Sequence, residues 1–122
     1  MVAVGSEGFF SLVRRLAEVK RLDRREYSAF EVRGVKFAYH WPRTETVGLK
    51  QLLSEQLALV AERPDVFEPQ YAIAGFGWVV VRLDGVEADE LAELLYEAWR
   101  LSAPEQLVEQ EPDWASAPPV LG

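Results

Sequence analysis

The sequence has no cysteine, one histidine and one methionine. Without cysteine there can be no disulfide, no thiolate nucleophile and no zinc site that uses sulfur. A lone His40 cannot form the His-x-x-x-His pair of a metalloprotease, and no EF-hand spacing occurs. Gly75-Phe76-Gly77 is the one glycine-rich loop; it lacks the third glycine of a dinucleotide fingerprint and the lysine of a P-loop. None of the serines sits in a Gly-x-Ser-x-Gly elbow. No run approaches the roughly 18 consecutive apolar residues of a membrane span. The start, Met-Val-Ala-Val-Gly-Ser-Glu-Gly-Phe-Phe, lacks the basic segment and long apolar stretch of a secretory leader. These absences predict a cytoplasmic protein that is neither enzyme nor metalloprotein and needs no cofactor.

What is present suffices for a core. The 122 residues are 49% apolar and 27% charged, enough to bury a single core without disulfide or metal. One domain is expected over residues 1–111. Residues 112–122, rich in proline, alanine and serine, read as a loose tail that carries Trp114.

Charge is unevenly distributed. Residues 1–50 carry ten Lys/Arg against six Asp/Glu, a balance of +4. Residues 51–122 carry three against fourteen, a balance of −11, and the two sum to the net −7. A net-negative molecule repels nucleic acid, yet its first half can still present a basic surface.

Phe9, Leu12, Val13, Leu16 and Val19 recur at helical steps, predicting a helix over 7–21 with Ser6 as its N-cap. Alternation then predicts strands around Phe30–Arg33 and Val35–Trp41, joined by a tight turn at Arg33-Gly34. In the second, Val35, Phe37, Tyr39 and Trp41 would share one face. A third strand is expected over 44–49 and a helix over 50–63, stopped by Pro64. Residues 65–70 read as a loop and 71–74 as a short strand. Gly75-Phe76-Gly77 reads as a turn into the valine-rich strand 78–83. A helix follows over 87–101, its Glu87, Asp89 and Glu90 complementing the helix dipole, and Ser102-Ala103-Pro104-Glu105 opens a short fourth helix. The order α-β-β-β-α-β-β-α predicts an α+β fold, a two-layer sandwich of helices on an antiparallel sheet.

Several stretches resemble the MmcQ/YjbR family over about residues 8–110. They are Val32-Arg33-Gly34-Val35-Lys36-Phe37-Ala38, Val47-Gly48-Leu49-Lys50, Gly77-Trp78-Val79-Val80-Val81-Arg82-Leu83-Asp84-Gly85, Glu90-Leu91 and Ala98-Trp99-Arg100-Leu101-Ser102-Ala103-Pro104. The resemblance implies a two-layer domain shaped like secretion chaperones, with a DNA-binding label attached to a double wing of hairpins. The chain departs from the pattern after the first helix, where Arg21-Leu22-Asp23-Arg24-Arg25-Glu26 replaces a Pro-Gly loop.

Two partners follow as expectations. The first is DNA, touched by Arg33 at the hairpin tip, Lys36 on its outer face, and Arg43 and Lys50 flanking the third strand, with Arg14, Arg21 and Arg25 extending the patch. The competing role for these cations is pairing with Glu18, Asp23 and Glu26. The second partner is a protein or peptide bound on an exposed sheet face or groove. At least three of Tyr39, Trp41, Trp78 and Trp99 are expected in core packing rather than as stacking platforms. His40 reads as an ordinary strand residue, since no motif supplies a proton-transfer partner.

Overall fold

Strands and helices share this chain about equally. The computed structural model describes residues 4–110. In chain order it contains α1 (Gly5–Val13), β1 (Val19–Asp23), β2 (Ser28–Val32), β3 (Val35–Trp41), β4 (Thr46–Leu52), α2 (Leu53–Glu62), β5 (Phe67–Ile73), β6 (Phe76–Arg82), a 3₁₀ turn at Leu83–Gly85, α3 (Ala88–Arg100) and α4 (Glu105–Gln110). The strands form one six-stranded sheet in the order β1-β2-β3-β4-β6-β5, antiparallel throughout. The α+β, two-layer expectation holds. The tail over 112–122, with Trp114, lies outside the described residues.

The first helix is shorter than its apolar spacing suggests. It ends at Val13, and Leu16 reaches the core from a turn held by Arg15 N–H to the Leu12 carbonyl and Leu16 N–H to the Val13 carbonyl. Glu18 then takes a positive φ of 57°, which reverses the chain into β1. Residues 19–23 therefore pair with β2 rather than continue the helix, placing Arg21 opposite Phe30. Ser6 is not an N-cap either. It lies inside the first turn, and no side chain caps α1.

Elsewhere the strands are longer than expected. β4 runs on to Leu52, so Leu49 and Leu52 belong to the sheet and not to α2. Residues 67–70 extend β5 despite Pro69, which an edge strand tolerates because one side of its backbone has no ladder to complete. The turn after β5 is Ala74-Gly75, both at positive φ, while Phe76 and Gly77 already belong to β6. Arg33 and Gly34, at φ 49° and 83°, make the two-residue hairpin turn foreseen between β2 and β3.

A bulge decides which way β3 faces. The pairing jumps from Phe30↔Ala38 to Glu31↔Lys36, so Phe37 is the extra residue. Phe37 and Ala38 are consecutive, yet both belong to the core. Tyr39 and Trp41 are thereby turned to the opposite side from Phe37, contrary to simple alternation.

The core lies between the sheet and the helices. Phe9, Leu12 and Val13 of α1 join Leu91, Leu95, Ala98 and Trp99 of α3 over Phe30, Val47, Leu49, Val79 and Val81. Two buried glutamines fasten the layers. Gln51 Nε2 donates to the Lys50 and Leu94 carbonyls, the latter in α3. Gln56 Nε2, from α2, donates to the Tyr71 and Trp78 carbonyls of β5 and β6. Gly77 makes room for that arm, since a Cβ there would come within 2.7 Å of Gln56. Trp99 Nε1 donates to the Ala17 carbonyl and so ties the end of α3 to the α1–β1 connection.

Candidate nucleic-acid interface

The side of the sheet facing away from α1, α2 and α3, the outer face, carries a row of aromatic rings. Pairing places Tyr39 opposite Gly48, Lys50 opposite Trp78 and Trp78 opposite Tyr71. Ring centroids follow one another at 5.9 Å from Trp41 to Tyr39, 5.3 Å from Tyr39 to Trp78 and 5.5 Å from Trp78 to Tyr71. Tyr27 joins at 5.9 Å from Tyr39. Ala29 and Trp78 are buried here although they lie outside the main core. Burial raises the hydroxyl pKa of both Tyr39 and Tyr71.

Gly48 shapes the middle of this face. A Cβ there would come within 2.9 Å of both Trp41 Cη2 and Gln70 Oε1. The absent side chain lets the Trp41 ring lie across β4. Gln70 is the bulged residue of β5, and its Oε1 is a buried acceptor without a partner among the described residues.

Of the four aromatic residues assigned to regular elements, Trp99 alone enters the core between sheet and helices. Tyr39, Trp41 and Trp78 pack against one another outside it. This corrects the expectation of core packing for at least three of them. For Tyr39 and Trp41 the cause is the β3 bulge, which sequence alternation does not reveal, while Trp78 is placed on the outer face by the regular alternation of β6.

The seven basic candidates divide into separate groups. Arg33, at the hairpin tip, is held by Glu18 through two hydrogen bonds of 2.5 and 3.0 Å. That bonding lowers the Glu18 pKa and raises that of Arg33. Lys36 sits across from Glu31 in the ladder. Lys50 donates to Ser102 Oγ at 3.2 Å and lies 4.3 Å over the Phe76 ring, and burial lowers its pKa. Arg21 covers the Phe10 ring at 4.6 Å and pairs with Asp23 at 2.7 Å. Arg14 donates to Ser11 and, with Arg21, borders an apolar cleft of about 310 Å³ between α1 and β1.

Arg25 and Arg43 lie at the other end of the sheet. The chain reverses after β1 and after β3 at the same end, so the two turns are neighbours. Arg25, Glu26, Pro42 and Arg43 line a cleft of about 440 Å³ between them. Neither arginine makes an ion pair with any described residue. Arg33 is about 20 Å away, one strand length at roughly 3.3 Å per residue.

His40 does have a hydrogen-bond partner. Its Nε2 lies 2.9 Å from Ser6 Oγ, and Ser6 also reaches Glu45 at 3.5 Å. The ring is 3% exposed, stacked on Phe9 at 5.8 Å and edge-on to Phe10 at 4.8 Å. Burial, then the Arg21 charge, lowers its pKa against a smaller opposing effect of Glu45. So placed, the pair pins α1 to β3. Glu87, Asp89 and Glu90 open α3, where Glu90 pairs with Arg63, and the described residues hold no group of three that could bind a metal. No helix among them is long and apolar enough to cross a membrane.

The family model named YjbR matches residues 15–101. The chain belongs to the YjbR family. An uncharacterised protein of Mycobacterium tuberculosis is 41% identical to this YjbR chain over 54 residues, 44% of the chain and 42% of that relative. An uncharacterised protein of Mycobacterium bovis matches with the same figures, so the match spans less than half the length of either relative. The crystal structure of Deinococcus radiodurans protein DR2400, with its DUF419 domain, superposes with a TM-score of 0.71 at 23% identity. It covers 81% of this YjbR chain and 78% of its own, which shows a shared fold.

Sequence reasoning about this YjbR domain missed the pairing of Ser6 with His40 and the role of Gly48. Ser6 and His40 are 34 positions apart, and nothing in their spacing joins them. Gly48 lies inside a strand, where an isolated glycine signals the close approach of another group. That signal was available.

Proposed function

We propose that this domain is a non-catalytic, cytoplasmic binding module that engages single-stranded nucleic acid across the outer face of its sheet. The observation that carries the reading is the aromatic row in which Tyr71, Tyr39 and Trp41 surround the buried Trp78, with Tyr27 beside it and two arginines without acidic partners at the Tyr27–Trp41 end. Exposed ring surface stacks on unpaired bases of any sequence, and neighbouring cations take phosphates. Charge distribution supports the same face. Glu55 and Glu62 lie on α2, Asp89, Glu90, Glu93 and Glu97 on α3, and Glu105 and Glu109 on α4. Pairing puts Lys20, Lys36 and Arg82 on the outer face against Glu31 and Glu68, while the Lys50 ammonium is taken up by Ser102 after α3. The acidic total thus sits mainly on the helical layer. Duplex DNA gripped by the hairpin wing has less support, because Glu18 already holds Arg33.

Fluorescence anisotropy of labelled single-stranded and duplex oligonucleotides over a salt series tests the reading. Single strands should bind more tightly than duplex. Trp41→Ala should weaken binding by the ~1–3 kcal/mol of one base–aromatic stack while leaving the salt slope unchanged. Tighter binding of duplex, or no loss in Trp41→Ala, would sink it.

One observation favours a protein partner as the second reading. Leu57 on α2 and Ile73 at the end of edge strand β5 are 62% and 63% exposed, with Leu53 exposed as well. Exposed apolar groups beside an open strand edge suit a peptide or protein. Leu57→Glu should then weaken that association and leave oligonucleotide binding intact.

A further inference from the structure

We propose that the cleft between the β1–β2 and β3–β4 turns is a phosphate site, with Arg25 and Arg43 as its two arms. The inference rests on the single-strand reading for its biological ligand and stands on its own geometry for its chemistry. The two arginines come from different turns and line one cleft of about 440 Å³ with Glu26 and Pro42. Neither has an acidic partner among the described residues, whereas Arg21, Arg33, Arg63 and Arg100 all do.

Both turns are tied down. Arg24 N–H donates to the Tyr27 carbonyl at 2.8 Å. Glu45 N–H donates to the Pro42 carbonyl, and the Glu45 carbonyl accepts from Leu83 N–H at 3.1 Å. Thr44 and Thr46 hydroxyls meet at 2.7 Å. The guanidinium groups therefore project from braced backbone, which lowers the ordering cost of binding an anion. Their planar forks suit phosphate oxygens.

Position links the cleft to the aromatic face. Arg25 is two residues before Tyr27 and Arg43 two after Trp41, and both rings contact Tyr39. A phosphate held here puts the adjoining nucleotide at the start of the row. Glu26 shares the cleft and opposes the anion, leaving one net positive charge from two arginines and one glutamate. It should tune the site toward weak, reversible capture.

The test uses the full chain and two probes. Inorganic phosphate is titrated at low ionic strength into ¹⁵N-labelled protein. Shifts should concentrate at residues 24–27 and 42–45, vanish in the Arg25→Ala/Arg43→Ala double variant, and saturate at lower phosphate in Glu26→Gln. The gain in Glu26→Gln cannot arise from misfolding. Absent shifts, shifts centred on Arg14 and Arg21, or no gain in Glu26→Gln would overturn the site. The second probe is a labelled thymidine oligonucleotide with and without a 5′-phosphate. Tighter binding of the phosphorylated form identifies a terminal phosphate as the ligand. Equal binding, with a salt slope lowered by about 0.7 in the double variant, identifies one backbone phosphate held by both arms. Localised phosphate shifts without any oligonucleotide binding keep the site and refute the single-strand reading.

Discussion

Gln56 and His40 are buried polar side chains that hold helices to the sheet, and they should fail in different ways. Gln56 Nε2 supplies two carbonyls of the β5–β6 pair, at 3.1 and 2.8 Å. Gln56→Ala leaves both acceptors under α2 without that donor, a loss of about 1–3 kcal/mol, to be read as a lower urea midpoint with an unchanged m-value. His40 fails through pH. Burial and the Arg21 charge hold its folded-state pKa below the ordinary 6.5. As pH falls the unfolded chain takes up the proton first, so stability declines from about pH 6.5 down to the folded-state value and is constant below it. His40→Gln removes that titration. The wild type should therefore lose more of its urea midpoint than His40→Gln between pH 7.5 and 5. Equal losses would assign the effect to carboxylates, although those of Glu18 and Asp23 are held below their usual range and titrate lower still. Gly48 is the third sensitive position. Gly48→Ala forces Trp41 and Gln70 apart, and overpacking of this kind costs about 1–3 kcal/mol. Its separate sign is altered tryptophan fluorescence, which a simple loss of stability would not produce in the folded protein.

At the scale of elements, the two sheet edges are protected by different means. β1 is short and places Lys20, Arg21 and Asp23 along the open edge, while β5 carries Pro69 and a bulge at Gln70. β1 also explains why the wing tip is neutral. Glu18 lies just before it, and its φ of 57° brings the carboxylate to Arg33 across 15 positions of sequence. Glu18→Ala should release Arg33, so polyanion binding should tighten and its salt slope rise by about 0.7–0.9 per added contact. An unchanged slope would mean that the tip contacts no phosphate even when freed. These same elements mark what was legible in advance. Strands with strict alternation, α3 with its leucine face and the Arg33-Gly34 hairpin could be read directly, because each answers to a local rule. β1 could not, since Leu16 and Val19 continue the helical spacing of Phe9 and Leu12 while in fact serving a turn and a strand. β5 was half hidden behind Pro69. For the site, the seven cations were recognisable as residues but not as groups. Whether Arg33 meets Glu18, or Arg25 meets Arg43, depends on which turns share an end of the sheet.

For the whole molecule, the arrangement of charge matters more than its sum. The net −7 is concentrated on α2, α3 and α4, so the helical layer repels itself while the outer face stays mixed. The conflict is sharpest where Glu55 of α2 and Glu93 and Glu97 of α3 border one cleft of about 250 Å³. Glu97 is partly relieved by Arg100, with hydrogen bonds of 2.8 and 2.7 Å, whereas the described structure records no ion pair for Glu55 or Glu93. Glu93→Lys would place a cation four residues before Glu97 and beside Glu55, replacing two repulsions with attractions. Helix-surface pairs of this kind contribute a few tenths of a kcal/mol each, so Tm should rise by a few degrees in low salt. The gain should shrink as salt shortens the screening length from about 30 Å at 0.01 M to about 3 Å at 1 M. Wild-type Tm should itself climb over that range as self-repulsion is screened. Because the substitution lies on the layer facing away from the aromatic row, short-range contacts to an oligonucleotide should survive it. Affinity should improve slightly at low salt through the weaker long-range repulsion and match the wild type at high salt. If Glu93→Lys instead created a tight, salt-sensitive interaction with nucleic acid, the helical layer would be a binding surface and the outer face would lose its claim.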